Sequence, residues 1–456
     1  MYGRIQRIHF VGIGGIGMSG IAEVLINMGY TITGSDMKES ATVKRLKELG
    51  AKVAIGHSPE NVEGAGVVVV SSAVNERNPE VVEARRAGIP VIPRAQMLAE
   101  LMRLRYGIAV AGSHGKTTTT SMVSAVLSHG GLDPTIVVGG KVKTMGTNAR
   151  LGKGSFMVVE ADESDGSFLL LSPVISVLTN IDEEHLDHYK TFEGLEKAFT
   201  DFVNKVPFYG LSVLCTDCLN VRRIAQSFEK RAVTYGFNED ASLRAENVEI
   251  SGFKTEFDVV LDGQPLGRIT LNVPGMHNAL NALAAVAVGM ELGMTFEQVK
   301  EGLAEFSGID RRLQIKGQGK EILVLDDYAH HPNEIRATLS AVKDSGLGRI
   351  VAIFQPHRYS RTSLLFDDFT RALLNTDMLY LLDIYPAGEE PIEGVSSKAL
   401  YESLKESGHK NVFYSNGSGE DIVTTVMKAV KPGDVVITLG AGNVWMVSER
   451  IAEEIG

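Results

Sequence analysis

Gly112 to Thr118 reads GSHGKTT and follows a short apolar run, Ile108 to Val110. A glycine turn after a strand aims backbone N–H groups outward at the start of a helix, where they cradle phosphate oxygens. A lysine there neutralises the phosphates, and a threonine hydroxyl reaches a divalent cation. Gly112, Ser113, His114, Gly115, Lys116, Thr117 and Thr118 are therefore candidates for holding ATP, with Lys116 on the phosphates and Thr117 on Mg2+. The full phosphate-loop pattern has a glycine five residues before Gly115. Val110 stands there instead, so this is a shorter variant that opens at Gly112.

Carboxylates follow. Phe156 to Val159 is an apolar run ending in Glu160, Asp162, Glu163 and Asp165, and Val174 to Leu178 runs into TNIDEEHLDHY, with Asn180, Asp182 and His185. The carboxyl ends of parallel strands face the ligand in α/β sheets, so Glu160 and His185 are candidates for the metal and phosphate site. Hard oxygen ligands there suit Mg2+. Glu163, Glu183 and Glu184 read as solvated carboxylates or as groups outside the metal's immediate ligands.

A second glycine pattern lies near the start. Gly12, Gly14 and Gly17 form GxGxxG after the run Ile8 to Val11, with Gly15 between them and Asp36 after a second run at roughly the offset of a ribose-binding acid. The glycines let the backbone approach a pyrophosphate at a positive helix end, a geometry that fits NAD, FAD or a UDP-sugar; taken alone it favours NAD.

Later in the chain, PGMHNALNALAA places His277, Asn278 and Asn281 at a helix start, where the two amides either read an adenine edge or cap the helix. Arg311 and Arg312 precede a glycine-rich turn. VLDDYAHHPNE carries Asp326, Asp327, His330 and His331, and IFQPHRYSRT carries His357, Arg358 and Arg361. Two arginines three apart after a strand make a carboxylate clamp.

The elements that must position these groups repeat one motif: a β-branched run, a glycine turn, then an apolar-periodic helix. It occurs at Ile8 to Val11 before GIGGIG, at Ile108 to Val110 before AGSHGKT, and at Val435 to Leu439 before GAGNV. Three α/β domains follow: residues 1–106, 107–313 and 314–456. PRAQMLAELMRLRYG is a helix leading to the first boundary, and the second hinge falls near Leu313. Val233 to Val273 alternates apolar and polar residues between turn formers, so the central domain carries an added antiparallel sheet.

Composition bounds the rest. With 456 residues and 44% hydrophobic content the chain is a multidomain globular protein. No apolar stretch of ~18 residues is present to span a bilayer. Lys and Arg total 45 against 56 Asp and Glu, for a net charge of −11, which disfavours broad contact with nucleic acid or anionic membrane. The apolar start is too short for a secretory signal, and two cysteines make no disulfide framework, so a cytoplasmic location is expected. Cys215 and Cys218 form one CxxC, half a structural zinc site, and read as inert thiols.

Taken in order, GIGGIGMSGIA, GSHGKTTT, VEADESD, TNIDEEHLDHY, HNALNALAA, GIDRR, DDYAHHP and QPHRYSRT resemble the Mur ligases, which build the peptide of bacterial peptidoglycan. The resemblance spans essentially the whole chain and is closest to the alanine-adding branch. It implies a Rossmann-like N-terminal domain, a central ATPase-type α/β domain and a Rossmann-like C-terminal domain. The implied activity is ATP-dependent joining of L-alanine to the carboxylate of UDP-N-acetylmuramate through an acyl phosphate, a step in wall synthesis and so in cell shape and division.

On that resemblance Gly12, Gly14, Gly15, Gly17, Asp36, Ser71 and Ser72 would hold the UDP-sugar rather than NAD. Lys116, Glu160, His185, Arg311 and His330 would serve catalysis, and Thr117, Glu160 and His185 the metal. Asn278 and Asn281 would contact adenine, Arg311 the γ-phosphate and Asp327 the ribose, while His330, Arg358 and Arg361 would surround L-alanine. Sister ligases carry a carbamoylated lysine on the helix after the His-containing turn. Here the offset falls near Phe199 and Thr200, with Lys190 and Lys197 the nearest candidates and no match. A ligase for preformed peptides, an NAD-dependent oxidoreductase with an ATP switch, and a non-enzymatic nucleotide-binding scaffold are the competing readings. Oligomeric state is not encoded in any of these motifs.

Overall fold

Each β-branched run that ends in a glycine turn is a parallel strand in the computed structural model, which describes residues 5–71, 73–142, 147–416 and 419–456. The first sheet holds β1 (Arg7–Val11), β2 (Thr31–Asp36), β3 (Lys52–Ile55), β4 (Val67–Val70) and β5 (Val91–Pro93), in the order β3-β2-β1-β4-β5. All its pairings are parallel. The central strands β1 and β4 are nearly continuous apolar runs, as burial on both faces requires.

The second sheet holds β6 (Tyr106–Ala111), β7 (Thr135–Val142), β8 (Thr147–Arg150), β9 (Phe156–Glu160), β10 (Ile175–Leu178), β11 (Leu211–Cys215), β12 (Ala232–Gly236), β13 (Leu243–Ser251), β14 (Lys254–Leu261) and β15 (Gln264–Leu271). Its order is β15-β14-β13-β12-β11-β10-β6-β9-β7-β8. β6 lies between β9 and β10 in parallel register, so the loops that follow all three strands emerge at one edge. The expected added sheet is an extension of this one: β13 pairs in parallel with the end of β12. β14 and β15 are joined by the two-residue turn Asp262–Gly263, both residues at positive φ as a tight hairpin turn demands.

The third sheet holds β16 (Gln314–Gly319), β17 (Ile322–Asp327), β18 (Arg349–Phe354), β19 (Met378–Leu382), β20 (Val412–Ser415) and β21 (Asp434–Leu439), in the order β16-β17-β21-β18-β19-β20. β16 is antiparallel to β17 and the remaining pairings are parallel.

The chain folds as two compact units. One comprises Met1–Glu246, Asp258–Ile269 and Leu280–Phe306; the other comprises Asn247–Phe257, Thr270–Ala279 and Ser307–Gly456. In the first unit a continuous apolar core runs from Ile8, Phe10 and Ile21 through Val137, Ala149 and Val159 to Phe199 and Phe202. The β7–β8 strands pack on the helix Ile16–Asn27, where Asn148 Nδ2 donates to Ile16 O. The first sheet and the strands carrying the phosphate loop therefore share one core. In the second unit Leu325, Ile335, Phe354, Phe369 and Leu381 form the core on one face of the third sheet, and Val324, Ile353, Val436 and Ile451 the core on the other.

Candidate functional site

In the first unit the loop after β6 is fixed by its own glycines and by β10. Gly112 has φ +134°, and a Cβ there would stand 2.1 Å from Thr179 Oγ1 and 3.0 Å from the Asn180 backbone, so glycine is required on both counts. Thr179 Oγ1 donates to His114 O at 2.6 Å, Ser113 N to Asn180 O at 3.0 Å, and His114 N to Asn180 Oδ1 at 2.8 Å. His114 Nε2 lies 2.8 Å from Asp182 Oδ2. Gly115, in the left-handed region, is the N-cap of the helix Lys116–His129, so the first N–H groups of that helix open beside the loop. Asn281 Oδ1 accepts from Thr119 Oγ1 at 3.0 Å and would lie 2.7 Å from a Cβ at Gly115, which puts this asparagine against the loop.

Lys116 turns back over the loop. Its Nζ donates to Gly112 O at 2.6 Å, to Ser113 O at 3.0 Å and to Glu163, whose oxygens are 2.9 and 2.8 Å away. Of the two readings of Glu163, solvated or outside the metal's immediate ligands, the solvated one fails: it is buried, with 1% of its side chain exposed, and is the carboxylate on the loop lysine. The turn that follows β9 sets this direction: Ser164 N donates to Asp162 Oδ1, and Tyr189 Oη holds the Glu163 carbonyl. Burial pushes Glu163 up to about 7 although Lys116 opposes the rise. Burial alone would lower Lys116, but the charge and hydrogen bond of Glu163, with Glu160 and Asp162 beyond, outweigh it and hold the ammonium above its ordinary range.

Glu160, at the end of β9, accepts from Thr117 Oγ1 at 3.0 Å and from Gly139 N at 2.6 Å. His185 caps the short helix Leu186–Tyr189 with φ +57°, and its Nε2 is 3.7 Å from Glu163 Oε1. One ligand atom each from Glu163, Glu184 and His185 lies within 4.8 Å of the others. A hydroxyl, carboxylates and an imidazole around one loop are a donor set that fits Mg2+ beside a phosphate. Thr118 is half-buried on the same helix. Phe199, at the offset of the sister ligases' modified lysine, is a core residue 5.5 Å from the Phe168 ring, and Lys197 pairs with Asp201. Burial pushes the Cys215 thiol up to about 12.

The first sheet carries the other glycine turn. Gly12, with φ +76°, and Ile13 donate their N–H groups to Ser35 O, and Gly15 caps the helix Ile16–Asn27. Asp36 is the last residue of β2; its Oδ2 accepts from Gly14 N at 2.8 Å and its Oδ1 from Lys38 N. Gly17 faces Arg94, whose guanidinium would lie 3.0 Å from a Cβ there and is 3.5 Å from Asp162 Oδ2. Arg94, which the sequence reading did not single out, thus joins the glycine turn to the carboxylates after β9. Ser71 Oγ lies beside Gly12, and Ser72 is outside the described residues. Beneath the turn, Ser35 Oγ donates to the buried Glu80 at 2.6 Å, and His9 and His57 approach the same carboxylate. Burial would raise Glu80, but hydrogen bonds from His9, Ser35 and Asn61 lower it to about 2.

In the second unit the carboxyl ends of β17 and β18 gather a cationic and aromatic cluster. Arg361 Nη1 donates to His357 Nδ1 at 3.3 Å, His357 stacks on Tyr385 at 5.5 Å, and its ring is 5.9 Å from that of His330. His330 Nδ1 is 3.0 Å from Tyr328 O and 3.2 Å from Glu334. Burial, with the charges of His330, Arg361 and Arg358, lowers His357 to about 4, so its ring is neutral. Arg358 caps the helix Tyr359–Leu364 at φ +71°, with its N–H on Tyr385 O. Tyr385 carries no sequence signature; the register that sets β18 beside β19 brings it to His357.

Three expected ligands of ATP have internal partners here. Asp327 is buried and accepts from Leu313 N at 2.7 Å and Ala329 N at 2.8 Å, and burial raises it to about 6. Arg311 binds Asp326 and Gly440 O and lies 4.8 Å from the Tyr328 ring centre. Asn278 Nδ2 donates to Pro274 O at 2.7 Å, four residues earlier in the turn before its helix.

Models of three domains match the chain in order: "Mur ligase family, catalytic domain" over residues 7–106, "Mur ligase middle domain" over 110–289 and "Mur ligase, glutamate ligase domain" over 311–442. A UDP-N-acetylmuramate–L-alanine ligase of Geotalea uraniireducens is 55% identical over 455 residues, 100% of this chain and 99% of the relative. One of Geobacter sp. strain M21 is 56% identical over 99% of this chain and 98% of its own length. Among solved structures, the UDP-N-acetylmuramate-alanine ligase of Thermotoga maritima matches with a TM-score of 0.84 and 31% identity, covering 98% of each chain. A murein peptide ligase from Psychrobacter arcticus shares the fold, with a TM-score of 0.71 and 24% identity.

Proposed function

The chain belongs to the Mur ligase family, and from that premise we propose that it is an ADP-forming ligase joining L-alanine to the carboxylate of UDP-N-acetylmuramate. The product feeds peptidoglycan synthesis, and through it cell shape and division. The observation that carries this reading is the GSHGKTT loop with Lys116 folded back over it and Glu160 bonded to Thr117, in a chain 55% identical end to end to a ligase of that name. Residues 1–106 take the sugar nucleotide, 107–313 ATP and 314–456 the amino acid.

The chemistry follows from charge. A carboxylate is a poor electrophile and the γ-phosphate of ATP repels it, so both must be neutralised before phosphoryl transfer. In the first unit Lys116 and the N–H groups at the start of Lys116–His129 supply that positive field. Mg2+, held by Thr117, Glu160 and His185, would add a point charge on the phosphate oxygens. Asn278 and Asn281 serve adenine, Asp327 the ribose and Arg311 the γ-phosphate once their present partners give way to nucleotide. The glycine turn, with Asp36 and Ser71, takes the UDP-sugar, and Arg94 adds a cation beside its pyrophosphate.

The product of transfer is a mixed acyl-phosphoric anhydride. In the second unit Arg358 and Arg361 grip the carboxylate of alanine, and His330, beside Glu334, stands where the ammonium must shed its proton. The neutral amine adds to the acyl carbonyl, the tetrahedral intermediate expels phosphate, and an amide remains. The reading puts the reaction in the cytoplasm, where ATP is available; no helix among the described residues is long and apolar enough to cross a membrane.

The test is ADP release by purified protein given ATP, Mg2+ and UDP-N-acetylmuramate with either L-alanine or the L-alanine-containing tripeptide. Release that depends on L-alanine is expected. Release that requires the tripeptide overturns the assignment of the amino acid.

A further inference from the structure

An ammonium has three N–H donors and no more. Those of Lys116 are met by Gly112 O, by Ser113 O and by the carboxylate of Glu163, whose two oxygens lie within 2.9 Å. No donor is left for a phosphate oxygen. The two carbonyls belong to the loop itself and hold it closed around the helix start. The carboxylate comes from a different strand end, the turn after β9, and is the one partner that can be exchanged without undoing the loop.

We propose that Glu163 is a surrogate phosphate: it occupies Lys116 while the loop is empty, and an arriving nucleotide must take the ammonium from it. The proposal deepens the reading of Gly112–Thr118 as the phosphate site of ATP and rests on it. Both side chains are removed from water, Glu163 at 1% and Lys116 at 14% exposure, so neither charge can be abandoned to solvent. Anions that do not match the carboxylate's hold on Lys116 are thereby rejected. The role differs from catalysis: Glu163 sets how readily the lysine is released and acts on the reaction only through Lys116.

The experiment is a double-mutant cycle on nucleotide affinity, read by titration calorimetry of the full chain with ATP in EDTA, where no metal enters the result. Glu163→Gln keeps an acceptor for Lys116 but removes the competing charge, and should tighten ATP by about tenfold, equivalent to about 1.4 kcal/mol. Lys116→Ala should weaken ATP by at least tenfold, and Lys116→Ala/Glu163→Gln should match Lys116→Ala alone. If Glu163→Gln leaves affinity unchanged or weakens it, the surrogate role is wrong. If it tightens ATP equally in the Lys116→Ala background, Glu163 acts by general repulsion and the proposal falls. If Lys116→Ala binds ATP as well as the parent, it is the phosphate-loop reading that fails. Should Glu163→Gln not fold, Glu163→Asp, one methylene shorter, carries the test with an expected tightening of about threefold; no tightening overturns the proposal.

Discussion

Gly112→Ala probes the loop at the point where geometry leaves least room. The new residue would have to hold φ +134°, outside the regions open to L side chains, which costs roughly 1–3 kcal/mol. Its Cβ would also stand 2.1 Å from Thr179 Oγ1, forcing that hydroxyl off His114 O and Ala111 O. A lost hydrogen bond of this kind costs about 1 kcal/mol. The sum is about 2–4 kcal/mol, and because it is lodged in the loop rather than the core, it should appear as a loss of ATP affinity of roughly 30- to 1,000-fold. UDP-sugar affinity should be unchanged, since the first glycine turn lies on a different sheet. Calorimetry with each ligand reads both numbers. Thr179→Ala in the same chain removes the clash but neither the backbone strain nor the lost hydrogen bond, so the double variant should stay within a few-fold of Gly112→Ala. A Gly112→Ala variant that binds ATP as tightly as the parent would show that the loop is not what holds the phosphates.

Arg358→Ala should raise the KM for alanine by about 10- to 100-fold and leave that for ATP within a few-fold, because a charge-assisted contact to the amino acid is lost and nothing in the first unit is touched. An unchanged alanine KM removes Arg358 from the clamp. Acid sensitivity should come in two windows. His277 and His357 are each lowered to about 4, His277 by burial and the Arg312 charge and His357 as described, so the folded state refuses protons that the unfolded chain accepts below about 6.5. That contribution to stability is lost as pH falls from about 6.5 to 4. Glu80, lowered to about 2, adds stability that is present above about 4.5 and disappears between there and 2. Glu163, raised to about 7, and Asp327, raised to about 6, take up protons in the folded state and add stability over the same range, so the histidine part is read as a difference. The urea midpoint of the parent minus that of His277→Gln/His357→Gln should shrink from pH 7 to pH 4, and Glu80→Gln should flatten only the fall below about 4.5. A difference unchanged between pH 7 and pH 4 would contradict the histidine part.

Much of the site was legible because glycine turns after β-branched runs specify where strands end and helices begin. Gly12, Gly112 and Gly115 each hold a positive φ at such a junction; Lys116 and Thr117 open the helix directly after Gly115, while Glu160 ends β9 and His185 lies in the turn after β10. What the motif could not fix was direction within irregular backbone. After Glu160 the chain leaves the strand, alternation stops, and the choice of which acid in ADESD turns inward is made by local bonds such as Ser164 N to Asp162. The solvated reading of Glu163 failed for that reason. Tyr385 was missed because it reaches His357 through strand register and ring stacking, which leave no local pattern; Tyr328, inside DDYAHHP, meets the His330 ring edge-on. The first fingerprint illustrates a further limit: GxGxxG encodes a backbone shape for a pyrophosphate, and the same shape serves NAD and a UDP-sugar.

The acyl phosphate is the step on which the account turns, and oxygen labelling tests it directly. UDP-N-acetylmuramate carrying 18O in its carboxylate, turned over with ATP and L-alanine, should deliver one labelled oxygen to the inorganic phosphate, because the bond that breaks on amine attack joins the acyl carbon to that oxygen. Phosphate free of label, with amide formed, would contradict the account.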